Sequence, residues 1–535
     1  MALEDFEYRA LEDTVGQENI TRDPAILDTY NQCWGHKAAF DQKWSTRPAA
    51  VVLPGNTEEV QSIVKLCNRY HIPFKPFSSG FEIVALTLAS ERGILLDLKR
   101  MDRILEIDTK NMHAVVEPYV GEYRLQRELS KLGLTVGSVG AGPSAGVLAA
   151  SCCHFGGGIS AVSTGGLGRS VLGAEWVLPT GEILRLGSAE DGKGWFSADG
   201  PGPSLRGVMR GRSGANGGHG IITKASVKVY PWYDHGAWEF NQAPPGKPVS
   251  AKRIKMPEKY RIQVIMFPNK DSLWEALVRI GRAEIASVLM GTLIFPDGEG
   301  NDEQWEEIQK MMVSESPPPK LSATSVTVVL GADSKEGIAY REKCLMHIAN
   351  DMGGTRLPVD PTVDSQLFCQ AMFHFGLVTA AFRGTGDFFV SPTHDATFDM
   401  MKTARQPAVE MIKPYIEDGN LLLMTEAEPD MFLTATEHNS CGGHLENISV
   451  YDPWDPESLQ ALREVAQKTE DPNGPVGWFG VPHLGGGLQI EFVNHIHQKW
   501  GPVYDNYDVW LRKIKEALDP QNLGDWSAYI PPIYP

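Results

Sequence analysis

Pro76-Phe77-Ser78-Ser79-Gly80 puts two small hydroxyls and a terminal glycine into one turn. Such a turn can ligate a pyrophosphate through backbone N–H groups. Further on, five glycines between Gly211 and Gly220 (Gly211, Gly214, Gly217, Gly218 and Gly220) let the backbone come close to a bulky planar ligand or offer N–H groups to it. Between them, Gly137 to Arg169 is rich in glycine, alanine and serine. Its centre, Gly-Pro-Ser-Ala-Gly-Val-Leu-Ala-Ala-Ser-Cys-Cys-His-Phe-Gly-Gly-Gly, has side chains small enough for backbone to lie flat against a ring.

The elements that must position these segments follow from periodicity and turn residues. Ala50–Pro54 reads as a strand, followed by a helix from Thr57 through Arg69 whose Val60, Ile63, Val64 and Cys67 share one face. Ile94–Leu98, Ile104–Ile107 and Ala114–Pro118 read as strands. Glu175–Leu178 and Glu182–Leu184 read as a hairpin turned by Pro179-Thr180-Gly181, and Ile221-Ile222 opens a buried strand. After Pro231 the pattern changes to alternating units: strand Tyr260–Phe267, helix Asp271–Arg282, strand Ser287–Phe295, then strand Ser325–Leu330 and helix Ser334–Met352. Gly298–Asp302 and Ser314–Lys320 read as loops. Gly386–Pro392 opens a further unit, with a helix from Ala396 to Ile416, a strand over Cys441–Ser449, and a last helix over Trp510–Leu518.

Val171-Leu-Gly-Ala-Glu-Trp-Val-Leu-Pro-Thr-Gly-Glu-Ile-Leu-Arg-Leu-Gly187, followed by Gly217-Gly-His-Gly-Ile-Ile-Thr-Lys224, resembles the flavin cradle of the vanillyl-alcohol oxidase / p-cresol methylhydroxylase (PCMH-type) flavoproteins. The resemblance implies an α+β, two-domain PCMH-type FAD-binding fold with an α/β cap built on an antiparallel sheet. The expected divisions are an FAD domain over 1–235, a cap over 236–490, and a segment over 491–535 returning to the FAD domain. It further implies that Pro76, Phe77, Ser78, Ser79, Gly80 and Phe81 hold the diphosphate, and that Pro118 marks the loop where the family has "VEPG" and this chain has Tyr119. Pro143, Ser144, Gly146, Val147, Ala150, His154, Gly156, Gly157 and Gly158 then border the flavin, with Gly220, Ile221 and Ile222 opening the strand against it.

Two branches of that family suggest different chemistry in the cap. The para-phenol oxidases hold a phenolate with tyrosines and an arginine, because an unpaired buried oxyanion is prohibitive. The matching segments here are Gly480-Val481-Pro482-His483 and Phe81–Leu86, which carry none of those donors. Ala141-Gly142 stands where that branch keeps an aspartate beside the flavin, and Thr385-Gly386-Asp387 where it tethers the flavin to histidine, so FAD is expected without a covalent link. The D-lactate and glycolate dehydrogenase branch carries "HxGDGNxH" and later "SGEHGIG". This chain has His438-Asn-Ser-Cys-Gly-Gly-His444, one residue short, and Pro482 in the place of the glutamate. His438, His444 and Glu446 form an incomplete metal set, so no metal is expected there.

Hydride removal from a hydroxyl-bearing carbon needs a base whose pKa lies near working pH, which favours histidine. His483 is the first candidate, His444 the second and His438 the third, each against the plainer reading of a histidine hydrogen-bonded within the fold. Arg383 could grip a substrate carboxylate in bidentate fashion or pair with Asp387. Three readings stay open. The leading one is an FAD-dependent alcohol or 2-hydroxy-acid oxidoreductase; the others are a para-phenol oxidase or dehydrogenase, and a non-catalytic flavin-binding interaction protein.

Composition sets the outer limits. With 535 residues, 42% of them hydrophobic, the chain can bury a large core and should divide into more than one domain. A net charge of −18 argues against nucleic acid and anionic membrane surfaces as partners. There is no apolar run long enough for a membrane span and no secretory pattern at the start. Seven unevenly spaced cysteines suggest reduced thiols and a cytoplasmic protein. The expected partners are a small-molecule substrate and an electron acceptor, which could be oxygen, a quinone or a carrier protein, since no iron–sulfur cysteine spacing occurs. Assembly is left open, with the homodimer as the commonest soluble form.

Overall fold

The computed structural model describes residues 2–30, 47–80, 92–137, 144–152, 160–192, 194–196, 204–210, 218–234, 255–291, 324–358, 365, 368–369, 371–372, 388–423, 432–435, 442–471, 473–474 and 501–524. The chain opens with helix α1 (Asp5–Val15), strand β1 (Ile20–Thr21), helix α2 (Pro24–Thr29), β2 (Ala50–Val52), α3 (Thr57–Tyr70), β3 (Phe74–Phe77) and β4 (Ile94–Asp97). These strands form a sheet of order β1-β2-β4-β3 in which β2, β4 and β3 are parallel. As the spacing predicts, α3 buries Val60, Ile63, Val64 and Cys67. Asn56 caps it through a bond from the Glu59 N–H, and His71 ends it in the left-handed region.

A second sheet follows, from β5 (Ile104–Asp108), β6 (His113–Val116), β7 (Leu134–Thr135), β8 (Val171–Val177), β9 (Ile183–Leu186), β10 (Ile221–Lys228) and β11 (Tyr230–Pro231). Five of these strands run in the order β5-β6-β10-β8-β9, all antiparallel, while β7 and β11 pair separately. The helices among them are α4 (Glu122–Ser130), α5 (Val147–Cys152), α6 (Ala161–Thr164) and α7 (Arg206–Arg210). The strand side chains alternate between two apolar cores. Ala114, Val116, Ala174, Trp176, Ile222 and Ala225 enter one, whereas Val177 and Ile221 join α3 in the other.

The later half of the chain builds one eight-stranded antiparallel sheet. Its elements are β12 (Tyr260–Met266), α8 (Lys270–Ala283), β13 (Val288–Gly291), β14 (Ser325–Gly331), α9 (Lys335–Asp351), β15 (Thr355–Arg356), β16 (Phe388–Thr397), α10 (Phe398–Glu417), β17 (Leu422–Leu423), β18 (Phe432–Ala435), β19 (Gly442–Val450) and α11 (Pro456–Glu470). The strand order is β15-β12-β14-β13-β18-β19-β16, with β17 beside β19. Val326, Val328 and Leu330 meet Leu277 of α8, Leu345 of α9, Ile412 of α10 and Leu462 of α11 in a single core. Val162 of α6 reaches into that core, and the Ser163 hydroxyl donates to the Ser287 carbonyl at 2.9 Å, so the two halves touch there.

Where a helix is expected to begin at Ala396, the chain is still extended through Thr397. Long-range pairing of β16 with β19 holds Asp395 to Ala396 against His444 and Gly443, and α10 starts at Phe398. The register shifts between Val390 and Thr393, where Pro392 has no N–H to give to the ladder.

Candidate cofactor and active site

The 76–80 turn sits at the C-terminal ends of parallel strands β3 and β4, where open α/β sheets place their ligands. The Leu98 N–H donates to the Phe77 carbonyl at 2.9 Å, and the Phe77 ring packs edge-on against Tyr30, their centroids 5.2 Å apart. Tyr30 in turn donates its hydroxyl to buried Asp97 at 2.6 Å. Gly80 has φ +67°, in the left-handed region that favours glycine, and lies against the tip of the Phe77 ring.

Three separate segments meet at Gly146. Its N–H donates to Ser79 Oγ at 3.2 Å, and a short antiparallel bridge joins it to Gly121. In that bridge the Glu122 N–H donates to the Ala145 carbonyl and the Val147 N–H to the Val120 carbonyl, both at 3.0 Å. A Cβ on Gly146 would press to 3.1 Å from the Pro118 carbonyl. The turn at Pro118 is fixed by Glu117, whose fully buried carboxylate accepts from the Arg103 N–H at 2.8 Å and from its guanidinium at 2.7 and 3.1 Å. Val147 and Ala150 follow in α5 and are buried, whereas Ser144 is exposed.

The hairpin β8–β9 turns as the sequence predicts, with Gly181 at φ +85°. Glu175 lies inside it and accepts from Thr57 at 2.8 Å, Lys224 at 2.7 Å and Arg185 at 3.0 Å. Desolvation raises its pKa, but the bonds from Lys224, Thr57 and Arg185 outweigh that and hold the carboxyl below the usual carboxylate range. This carboxylate ties α3 to the second sheet. At the mouth of β10, Gly220 has φ +105°, and a Cβ there would lie 2.2 Å from the Val177 carbonyl. The Ile221 and Ile222 side chains enter opposite apolar cores, so contact with a ligand would come from their backbone.

The C-terminal segment closes on this site. After helix α12 (Tyr507–Leu518), buried Lys515 donates to the Gly218 carbonyl at 2.7 Å, the Gly524 carbonyl at 2.8 Å and Asp519 at 2.5 Å. Asp519 accepts in addition from the N–H groups of Leu523 and Gly524. The Phe74 N–H donates to the Leu523 carbonyl at 2.9 Å, which seats the tail beside β3. The sequence marks this segment as a tail expected to return to the FAD domain but gives Lys515 and Asp519 no individual role, although a lysine and an aspartate four apart on a helix were a visible signal.

Of the other predicted residues, His444 lies in β19 opposite Asp395 of β16 and Thr434 of β18. Phe81, Pro143, His154, Gly156, Gly157, Gly158, Arg383, His438 and His483 fall outside the described residues.

The family model described as "FAD binding domain" matches residues 48–187. Among curated relatives, the glycolate oxidase subunit GlcD of Bacillus subtilis is 30% identical over 189 residues, 35% of this chain and 38% of that protein. The mitochondrial D-lactate dehydrogenase [cytochrome] of Arabidopsis thaliana is 26% identical over 278 residues, 49% of this chain and 46% of that protein. The match thus spans less than half the length of these relatives. Among solved structures, p-cresol methylhydroxylase aligns with a TM-score of 0.71 at 19% identity, covering 98% of this chain and 96% of that one. The 4-ethylphenol oxidase of Gulosibacter chungangensis aligns with a TM-score of 0.68 at 19% identity, covering 98% and 97%. Residues 48–187 are therefore an FAD-binding domain, and the chain that carries them has the PCMH-type flavoprotein fold.

Proposed function

We propose that this protein is an FAD-dependent oxidoreductase that takes a hydride from a hydroxyl-bearing carbon of an alcohol or 2-hydroxy acid. The observation that carries the reading is the meeting of the 78–80, 118–122 and 144–150 segments at Gly146, where only a glycine lets the backbone lie this close to the Pro118 carbonyl and the Ser78–Ser79 hydroxyls. Backbone N–H groups of Ser78 to Gly80 would hold the diphosphate, and Pro118, Gly146 and Gly220 would border the ring, without a covalent tether. When bound, FAD supplies the hydride acceptor. Residues 1–235 and 491–535 would form the cofactor unit and 236–490 the cap.

His483 would take the proton from the substrate hydroxyl, with His444 and His438 next in order, and Arg383 would hold a substrate carboxylate. The 2-hydroxy-acid reading rests on the sequence relatives named for glycolate and D-lactate. A second reading, oxidation of a para-substituted phenol, rests on the phenol-oxidising proteins that share the fold, whose 19% identity speaks for the fold alone. The acceptor would be oxygen, a quinone or a carrier protein. No helix among the described residues is long and apolar enough to cross a membrane, and Cys67, Cys152, Cys344 and Cys369 form no disulfide, which suits a reducing compartment.

Anaerobic mixing of the yellow protein with 2-hydroxy acids, benzylic alcohols and 4-alkylphenols tests the reading. Bleaching by a hydroxy acid or alcohol supports it, and His483→Gln should slow that bleaching by about 10²–10⁴-fold. Bleaching by 4-alkylphenols alone would move the assignment to the second reading. If none of these compounds bleached the flavin, the protein would be a flavin-binding module without this chemistry.

A further inference from the structure

The β5–β6 hairpin of the second sheet carries a polar cluster that the flavin site does not use. Asp108 and His113 stand directly opposite each other across the hairpin, and Glu106 lies two residues before Asp108 on the same strand. Successive side chains alternate between sheet faces, so all three share one face, the one that also carries Glu175, Ser226 and Lys228. One ligand atom from each of the three lies within 4.8 Å of the others, and no other trio among the described residues comes so close.

His113 is 3% exposed, and neither ring nitrogen has a hydrogen-bond partner. Its Nε2 faces Glu106 Oε1 at 3.6 Å, too long for a hydrogen bond. That spacing is close to the roughly 3.4 Å separating two ligands bound tetrahedrally to one ion at 2.0–2.1 Å. A buried imidazole with no proton acceptor or donor is costly, and a cation between it and the two carboxylates would satisfy it.

The carboxylates are prepared for this. Asp108 accepts from the N–H groups of Lys110 at 2.9 Å and Asn111 at 2.7 Å, and from the Asn111 side chain at 2.7 Å. These bonds fix its orientation and leave lone pairs for a metal. Glu106 is half-exposed and gives an ion a way in. Lys228, paired with His113 on the other side, carries its ammonium over the Tyr230 ring, 5.2 Å from the centroid.

We propose that Glu106, Asp108 and His113 bind one divalent first-row transition-metal ion, in a structural or regulatory site remote from the flavin. One imidazole and two carboxylates suit zinc or a neighbouring ion better than calcium or magnesium, which take oxygen ligands. His113 opens β6 and Pro118 follows two residues past its other end, so the ion and the Pro118 turn would sit at opposite ends of that strand.

The test is calorimetric titration of the full-length protein, freed of adventitious metal on a chelating resin, with Zn²⁺ and separately with Ca²⁺. The expected result is one Zn²⁺ per chain, Ca²⁺ binding weaker by at least about tenfold, and a loss of Zn²⁺ affinity of at least about tenfold in His113→Gln, with flavin content unchanged. Glu106→Gln, at a half-exposed position, serves if His113→Gln does not fold. No saturable Zn²⁺ binding, equal affinity in the variant, or Ca²⁺ binding as tight as Zn²⁺ would overturn the proposal.

Discussion

The earlier and later halves of the chain bury different things. Around the first two sheets, Lys75, Asp97, His113, Glu117, Glu122, Glu175 and Arg206 are buried, and Lys515 and Asp519 join them from the tail. Between residues 255 and 474, the buried polar side chains among those described are Gln263, Ser287, Ser325, Thr327, Ser365 and Ser458, none of them charged. Burying a charge is expensive unless it is paired, so such groups accumulate where backbone must be held in an exact shape for a ligand. Among its described residues, the eight-stranded sheet of the later half packs its helices through an apolar core, and its ion pairs, such as Arg279 with Asp351 at 2.8 Å and Arg356 with Glu342 at 3.3 Å, lie toward the surface.

The sharpest way to break this contrast is at the tail. Lys515→Met leaves Asp519 buried without its ammonium and frees the Gly218 and Gly524 carbonyls, and should cost about 3–5 kcal/mol by chemical denaturation together with loss of bound flavin. Retention of both stability and flavin would show that the clasp is idle. In the later half, Leu345→Ala opens a cavity in the apolar core and should cost about 3 kcal/mol, yet leave flavin content intact. Loss of flavin in that variant would erase the proposed difference between the halves.

Glu175 sharpens the contrast through pH. Its carboxyl is held below the ordinary value of 4.5, so its contribution is present above about pH 4.5 and is lost as pH falls through the lower folded value. Glu175→Gln should cost about 2 kcal/mol near neutrality and flatten the acid side of a melting-temperature profile. An unchanged acid slope would mean that other carboxylates govern acid unfolding.

How much of this was legible in the residues differs between the halves in the same way. Helix α3 and the β8–β9 hairpin follow from local signals, an apolar stripe in one case and Pro179-Thr180-Gly181 in the other. Helix α4 does not, because its buried face includes Glu122, Gln126 and Ser130, which break the apolar period. The start of α10 is hidden too, since Ala396 and Thr397 are extended by pairing with a strand some fifty residues away. The 76–80 turn and the small-residue run could be recognised by composition, but their meeting at Gly146 depends on contacts across 67 residues. Lys515 and Asp519 look like an ordinary exposed ion pair on a helix until Gly218 and Gly524 are brought to them.

The central claim is that the segments converging on Gly146 hold FAD. Titration of flavin-free protein with FAD, followed by quenching of flavin fluorescence, tests it most directly. The account predicts saturation at one FAD per chain, and affinity at least about tenfold weaker in a folded Gly146→Val variant, whose side chain would crowd the Pro118 carbonyl. No saturable binding by the unaltered chain, or equal binding by the variant, would contradict it.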